Sequence, residues 1–294
     1  MRQGVQGRAG LSTEELAEVR ELWDFCNKNE QIEIKLNWGT LTSRPIGITN
    51  DFLYYENDRV IGFLAIYSFL STEVEISGMV HPDARRQGIF GQLVQIAIEE
   101  CRRREIPKLI FINERGSTSG KAFLTNLEAR YSFSEYVMEL KSEGTEILST
   151  ETQKVQIRPA VKEDVELLVQ LNVSGFTMTE TDAREYVLQT IEGDKELTWI
   201  AELGEDRIPV GKIGAMIEAD ASAFIYGFCM SPAFRGKGVG RRVLRQTLED
   251  LQNKYKASSI KLEVSVENEG ALGLYQSCGF QTKNANDYYV ILLD

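Results

Sequence analysis

The hydrophobic and polar positions of the chain lay out the same order of elements twice. In the first half, one helical pattern precedes three apolar strands, at residues 12–27, 51–56, 59–69 and 73–80. In the second half, an opening strand, two helical patterns and three further strands follow one another, at residues 155–158, 162–171, 181–192, 198–202, 210–218 and 221–230. The turns between consecutive strands are short and polar, which indicates antiparallel pairing.

Each half then continues with a glycine-containing turn, an amphipathic helix and another apolar strand. Arg85 and Gly88 of the first turn stand 150 residues before Arg235 and Gly238 of the second. This constant offset indicates an internal repeat, and the helical crossovers indicate that the strands they join are parallel. The sequence therefore predicts an α/β protein of two tandem domains, each a mixed, mostly antiparallel sheet flanked by helices.

The boundary between the two copies is expected in a polar stretch. Residues 141–152 are rich in Ser, Thr and Glu, with a glycine near the start, and they separate the last pattern of the first copy from the first strand of the second. We therefore predict a first domain at residues 1–143, a linker at 144–154 and a second domain at 155–294.

Composition excludes several classes of function. Of the 294 residues, 43% are hydrophobic, and the formal net charge of −11 makes a nucleic-acid duplex a poor partner. The longest apolar run, residues 61–70, is too short for a membrane helix, so we expect a cytoplasmic protein without a membrane anchor. Four widely spaced cysteines and a single histidine predict neither a metal site nor a disulfide framework.

The turn of the second copy is the strongest candidate for a ligand site. It joins a hydrophobic strand to an amphipathic helix, so glycines, cations and the free N–H groups of a helix N-terminus converge there. Backbone N–H groups at such a terminus bind phosphate, and nearby cations strengthen that binding. The predicted diphosphate site consists of Arg235, Gly236, Lys237, Gly238, Val239, Gly240 and Arg241.

Two other phosphate-binding motifs fit the sequence less well. A dinucleotide-binding turn needs the spacing G-x-G-x-x-G, whereas this turn has G-x-G-x-G. A nucleotide P-loop needs G-x-x-x-x-G-K-[ST], and the segment Gly116–Ala122 is one residue short and lacks the hydroxyl that binds the metal. We interpret that segment as a flexible loop.

The second copy resembles the GNAT superfamily of acyl-CoA-dependent N-acetyltransferases. The resemblance begins with Arg235-x-x-Gly238-x-Gly240 after Met230-x-Pro232. A second signature, N-x-x-A-x-x-L-Y-x-x-x-G-F, is matched downstream by Asn268, Ala271, Leu274, Tyr275, Gly279 and Phe280. Two motifs in the expected order make the resemblance specific, and it covers residues 155–294, which would be a catalytic GNAT domain.

The resemblance implies acetyl-CoA as acyl donor and a small-molecule or peptide amine as acceptor. It places the pantetheine arm against the backbone of Cys229 and Met230, with Asn268 capping the next helix or bonding that arm. It gives Tyr275 the role of donating a hydrogen bond or a proton to the CoA sulfur, unless this residue is only a core tyrosine. Strand alternation exposes Glu263 on the side opposite its apolar neighbours, which makes it a candidate general base or a plain surface carboxylate. Tyr226 and Asp220 are weaker alternatives for the base.

The first copy lacks part of this pattern. Phe90 replaces the third glycine, and the region after Ile112 has neither a Leu-Tyr pair nor a Gly-Phe pair. We therefore expect a degenerate GNAT-like domain at residues 1–143 and turnover confined to the second domain, although the first can still hold a CoA molecule. This tandem plan resembles that of mycothiol synthases, which assigns no substrate.

Two other classes of function remain open at this stage. A non-catalytic acyl-CoA-binding regulatory protein would bind the donor without releasing thiol, and a nucleotide-phosphate binder would show affinity for ATP but none for CoA. The identity of the acceptor is not determined by these motifs. An internal repeat is compatible with a monomer, and the oligomeric state stays open.

Overall fold

The computed structural model describes residues 1–44, 47–141, 155–176, 178–191, 196–218 and 220–293. The chain divides into two compact units. Unit 1 comprises residues 1–135 together with 284–294, and unit 2 comprises residues 136–283.

Unit 1 is a mixed sheet with helices packed on it. Its elements are β1 (Gly4–Arg8), α1 (Thr13–Glu30), α2 (Trp38–Leu41), β2 (Asp51–Glu56), β3 (Arg59–Tyr67), β4 (Glu73–Val80), α3 (Ile89–Arg103), β5 (Lys108–Glu114), α4 (Thr118–Asn126), the start of β6 (Arg130–Leu140) and the end of β12 (Phe280–Leu292). The strand order is β1-β2-β3-β4-β5-β12, in which only β4 and β5 are parallel.

Unit 2 repeats this plan. Its elements are the end of β6 (Arg130–Leu140), β7 (Val155–Pro159), α5 (Val165–Gly175), α6 (Glu180–Ile191), β8 (Glu196–Leu203), β9 (Ile208–Ile217), β10 (Ala223–Met230), α7 (Val239–Asn253), β11 (Ile260–Ser265) and α8 (Glu269–Ser277), followed by the start of β12. The strand order is β6-β11-β10-β9-β8-β7, with β10 and β11 parallel and the sheet otherwise antiparallel from β7 to β10. The predicted fold class, two mixed and mostly antiparallel α/β domains, is confirmed.

Both faces of the unit 2 sheet are covered. On one face, α7 buries Val243 and Leu244 against Ile225 and Leu262 of the sheet. A second cluster joins α5 and α6 to Ile200 of β8. Because β-strand side chains alternate between faces, residues of β9, β10 and β11 that do not point to α7 point toward the side covered by α5 and α6.

The two parallel strand pairs separate after a few residues. In unit 2, the pairing of β10 with β11 ends at Ile225 and Leu262, and in unit 1 the pairing of β4 with β5 ends at Ile76 and Phe111. Beyond these points each sheet has a gap that opens toward the turn before the long helix. In β10 the register with β9 also shifts by one residue between Tyr226 and Cys229, which is a β-bulge.

The structure departs from the expected elements in several places. The segment Gly116–Ala122, expected to be a flexible loop, contains the start of α4, because the Ser117 hydroxyl caps the helix by accepting a hydrogen bond from the Gly120 N–H at 3.2 Å. The strands β1, β6 and β12 were not predicted. None of the described helices is long and apolar enough to cross a membrane.

The compact units also differ from the expected domain boundaries. Residues 286–292 of β12 pair with β5, so the end of the chain belongs to unit 1 although we expected it in the second domain. Met138 of β6, expected in the first domain, is fully buried in the core of unit 2. Each unit thus takes one strand segment from the other half of the sequence. The predicted linker 144–154 lies outside the described residues.

Candidate active site

The turn between β10 and α7 has the geometry of an anion-binding site. Gly236 and Gly238 have φ angles of 71° and 74°, which only glycine adopts without strain. Gly238 is the N-cap of α7 and no side chain caps the helix, so the N–H groups of its first turn are left without a side-chain acceptor. A Cβ atom at Gly236 would meet nothing within 4 Å, which shows that the turn faces open space. Gly240 has no positive φ, because it lies inside α7.

Arg235 is exposed and bonds to the backbone at the end of β10. Its Nε donates a hydrogen bond to the Met230 carbonyl at 2.8 Å, which ties the turn to the end of β10. This bond gives Arg235 a positioning role, and its expected role as a cofactor ligand stays a prediction. Lys237 is exposed, and its ammonium lies 5.8 Å from the centroid of the Phe234 ring. Two cations remain candidates for contact with a phosphate: Lys237 before the helix and Arg241 in the first turn of α7.

The backbone at the end of β10 offers one free edge. The Ser231 N–H donates to the Val210 carbonyl of β9 at 2.8 Å. Successive residues of an antiparallel pair point their peptide groups alternately toward the partner strand and away from it. The N–H and C=O of Cys229 face Lys212 on β9. The N–H of Met230, the next residue, therefore points away from β9. Of the two residues expected along a pantetheine arm, the geometry favours Met230.

The Cys229 side chain is buried away from the turn. Its thiol donates to the Leu171 carbonyl of α5 at 3.5 Å, and burial raises the pKa of the thiol. A buried thiol with a raised pKa is a poor nucleophile, because the reactive form is the thiolate.

Tyr275 lies in α8, whose first turn is capped by Asn268. The Asn268 Oδ1 accepts a hydrogen bond from the Ala271 N–H at 3.1 Å, which is one of the two roles expected for this residue. The Tyr275 ring is 8% exposed and meets Phe280 edge-on, with centroids 5.9 Å apart. Burial raises the pKa of the Tyr275 hydroxyl to about 12, so it is protonated at neutral pH.

The candidate bases differ in what surrounds them. Glu263 is half-buried in β11, between Leu262 and Val264, which are buried in the core with α7, so its carboxylate lies on the opposite face. Tyr226 is unsuitable as a base, because its hydroxyl donates to Glu196 at 3.0 Å and burial raises its pKa. Asp220 stands before β10, at the strand end far from the turn, and its carboxylate accepts hydrogen bonds from the N–H and hydroxyl of Ser222.

Comparison with known proteins identifies the family. The family described as "Acetyltransferase (GNAT) family" matches residues 14–119 and 165–280, which together exceed half of the chain. The chain belongs to the GNAT family of acetyltransferases. N-alpha-acetyltransferase RimI of Mycobacterium tuberculosis is 42% identical over 52 residues, which are 18% of this chain and 30% of that protein. The chain spans 15–58% of the length of the curated relatives it matches.

Solved structures share the fold over nearly the whole chain. A GCN5-related N-acetyltransferase from Sphaerobacter thermophilus has a TM-score of 0.78 at 17% identity and covers 98% of this chain and 95% of its own. A tandem GNAT protein from the clavulanic acid biosynthesis pathway has a TM-score of 0.72 at 14% identity, with 98% of each chain covered. At these identities the likeness shows the fold alone. It agrees with the two GNAT repeats found within the sequence.

The two GNAT repeats can be aligned by their hydrogen bonds. Ser117 caps α4 as Asn268 caps α8, and this correspondence places Leu124 where unit 2 has Tyr275. The parallel strand pairs give the same alignment. The last paired residue is Phe111 on β5 and Leu262 on β11. The residue after it is Ile112 in unit 1 and Glu263 in unit 2. Unit 1 therefore lacks both the hydroxyl and the carboxylate of the candidate site.

Unit 1 nevertheless has a formed cavity of about 510 Å³ at its gap between β4 and β5, lined at the turn by Arg85 and Gly88. Arg85 repeats the contact of Arg235, since its Nε donates to the Val80 carbonyl at 3.1 Å. The Phe90 ring, expected to mark degeneration, occupies space beside Gly78.

Unit 2 has the reverse arrangement. There the aromatic ring comes from the strand, as Phe228, and the glycine from the helix, as Gly240. The aromatic ring and the glycine have therefore exchanged positions between the two units, and Phe90 fills the space that Phe228 fills in unit 2. The replacement of the tyrosine by Leu124 is the more important difference between the units.

One buried cation near the gap was missed by sequence analysis. Lys212 is 4% exposed, in the middle of an otherwise apolar strand, and that isolated charge was the available signal. The described residues contain no group of three or more His, Cys, Asp and Glu side chains that could hold a metal ion.

Proposed function

We propose that this protein transfers an acetyl group from acetyl-CoA to a primary or secondary amine, by direct attack of the amine, at a single site in unit 2. One observation supports this assignment above the others. A Cβ atom placed on Gly240 would lie 3.5 Å from Met230, 3.7 Å from Phe228 and 3.8 Å from Leu274. The end of β10, the first turn of α7 and the helix that bears Tyr275 thus meet around one point.

The diphosphate of acetyl-CoA fits the turn from Arg235 to Gly240. The positive φ angles of the glycines and the uncapped start of α7 present N–H groups to one anion, each charge-assisted hydrogen bond contributing about 1.5–3 kcal/mol. Lys237 and Arg241 add positive charge. The amide groups of the pantetheine arm would pair with the free edge at Met230, and the thioester supplies an activated acetyl group next to it.

Tyr275 would serve as a hydrogen-bond donor to the sulfur as the thiolate forms. Its hydroxyl has a pKa of about 12, whereas a thiol has a pKa of about 8.5, so complete proton transfer to the thiolate would be uphill by about 5 kcal/mol. A donated hydrogen bond stabilises the developing negative charge without that cost. The proton that finally neutralises CoA would then come from water or from the attacking nitrogen, which loses a proton as the C–S bond breaks and the amide forms.

The acceptor must reach the site as a neutral amine. An alkylamine with a pKa of about 10.4 is held in its charged form at pH 7, at a cost of about 4.6 kcal/mol for deprotonation. We assign the removal of this proton to Glu263, directly or through water. Glu263 lies in β11, one of the two strands that border the gap, and its carboxylate is on the sheet face opposite α7. The buried, weakly acidic thiol of Cys229 supports direct attack over an acyl-enzyme on that residue.

Thiol release tests the proposal. The purified protein is incubated with acetyl-CoA and a panel of amines, comprising amino acids, peptides, polyamines, aminoglycosides and amino sugars, and products are identified by mass. We expect release of CoA that depends on at least one amine and the appearance of its N-acetyl derivative. Binding of acetyl-CoA without release in the presence of every amine would instead support the regulatory alternative. We further propose that the protein acts in the cytoplasm.

A further inference from the structure

The ammonium group of Lys212 is buried beside the proposed acyl-transfer site. Its Nζ lies 5.4 Å from the centroid of the Phe176 ring and 5.7 Å from that of the Tyr186 ring. Among the residues that the structure describes, no carboxylate forms a salt bridge or a hydrogen bond with this ammonium. Buried lysines are rare unless an anion accompanies them.

Burial destabilises the charge on Lys212. It lowers the pKa of Lys212 to about 8, and the nearby Cys229 thiol acts in the opposite direction. The two aromatic rings offer partial compensation through their negative faces. An ammonium has three hydrogen-bond donors, so Lys212 can donate to an anion that comes close to it.

The position of Lys212 relates it to the reaction. Its backbone pairs with Cys229, the residue next to the free edge at Met230. A Cβ atom at Gly227, in the bulge of β10, would lie 3.1 Å from the Lys212 Nζ and 3.9 Å from the Tyr186 hydroxyl. Gly227 has a φ of 57°, so the bulge brings bare backbone against the ammonium.

We propose that Lys212 binds a carboxylate of the acceptor, so that the acceptor is an amino acid whose carboxylate lies a few bonds from the amine to be acetylated. This inference rests on the proposed function, because it is that function which brings an amine to the thioester at the end of β10. An acceptor carboxylate supplies the missing anion. A polyamine or an aminoglycoside would instead bring a second cation against a buried one.

Lys212 has a pKa of about 8, and other titratable groups lie around it. Tyr186 of α6 and Tyr226 of β10 have pKa values raised by burial, and so has Cys229. The Glu196 carboxylate of β8 accepts the Tyr226 hydroxyl. A bound carboxylate favours the ammonium form of Lys212, so binding above pH 8 is coupled to uptake of a proton.

A paired set of acceptors tests the inference by activity. Each amino acid of the panel is compared with the amine that lacks only its carboxylate, for example phenylalanine with phenethylamine. We expect the wild type to prefer the amino acid by at least tenfold in kcat/KM, and Lys212→Met to abolish that preference. The control is Lys254→Met, which removes an exposed lysine of unit 2 and should keep it. A wild-type preference for the amines, or a preference unchanged in Lys212→Met, would overturn the inference.

Calorimetry provides a readout that needs no turnover and no variant. An N-acetyl amino acid, the expected product, is titrated into the full chain at pH 7 and at pH 9 in buffers of different ionisation enthalpy. We expect uptake of close to one proton at pH 9 and little at pH 7. Binding at pH 9 without proton uptake, or no binding at either pH, would refute the role of Lys212.

The two proposals fail separately. If no amine is acetylated but proton-coupled carboxylate binding is present, the proposed function falls and the anion site at Lys212 stands. If amines are acetylated without regard to their carboxylates, the proposed function stands and the inference about Lys212 falls.

Discussion

Replacing Tyr275 by phenylalanine isolates the hydroxyl that we assign to the CoA sulfur. The substitution keeps the ring, its burial and its edge-on contact with Phe280. Only one oxygen atom is lost, so we expect the free energy of unfolding to change by less than about 1 kcal/mol. The fold and the diphosphate turn should be unaffected.

The effect on rate follows from when the hydrogen bond acquires charge. The thioester sulfur is neutral in the bound donor and becomes negative as the bond to the acetyl carbon breaks. A hydrogen bond to a charged group is worth about 1.5–3 kcal/mol, which corresponds to a loss of about 10-fold to 150-fold in kcat. A dry environment such as that of Tyr275 favours the upper part of this range. The affinity for acetyl-CoA should stay within about twofold, because binding involves the neutral sulfur.

Steady-state thiol release, with calorimetry of acetyl-CoA binding, measures both quantities. The matched control is Tyr255→Phe, which removes the hydroxyl of another partly buried tyrosine of unit 2 and should leave kcat unchanged. Since the pKa of Tyr275 is about 12, kcat of the wild type should show no descending limb from this residue below about pH 10. A loss of less than about threefold in Tyr275→Phe would refute the assignment.

Four further outcomes are expected. Gly238→Ala should weaken acetyl-CoA binding measured by calorimetry, because φ at this position is 74°; unchanged affinity in a folded variant would contradict the diphosphate turn. Arg235→Ala should lower both acetyl-CoA affinity and activity, because it releases the turn from β10. Arg85→Ala removes the matching contact in unit 1 and should leave acetyl transfer largely intact. Loss of activity in Arg85→Ala but not in Arg235→Ala would instead place the reaction in unit 1. Deleting residues 286–294 should destabilise unit 1, because most of them pair with β5, and hydrogen exchange should locate the loss there and not in unit 2. Asp164→Asn should lower the melting temperature at pH 7. The hydrogen bond from Arg158 holds the pKa of Asp164 below its usual value. The stability that the Asp164 carboxylate contributes is therefore present above about pH 4 and disappears as the pH falls further. A difference between variant and wild type that does not shrink as the pH falls below about 4 would contradict this account.

Local sequence was sufficient for the elements whose causes are local. The helix start at Gly238 and the glycine-containing turn before it follow from glycine spacing and helix amphipathicity, and both GNAT repeats could be recognised from short motifs. The strands at residues 51–56 and 73–80 have the predicted bounds, because their apolar patterns end at clear polar turns. The absence of a Leu-Tyr pair after Ile112 in the first copy is likewise a local fact, and the hydrogen bonds of α4 place Leu124 at the position of the tyrosine.

Tertiary structure decided the features that depend on partners distant in sequence. The sequence of β12 does not reveal that its last residues complete unit 1, because strand pairing is set by contacts between segments more than 170 residues apart, such as Arg115 with Asp287. The sequence predicts Arg235 as a cofactor ligand, but only the folded chain shows that its Nε also donates to the Met230 carbonyl and so ties the turn to β10. Lys212 looked like one more lysine of an acidic chain. The helices packed over β9 bury its ammonium, and this burial, which no local pattern encodes, makes it the candidate for substrate recognition.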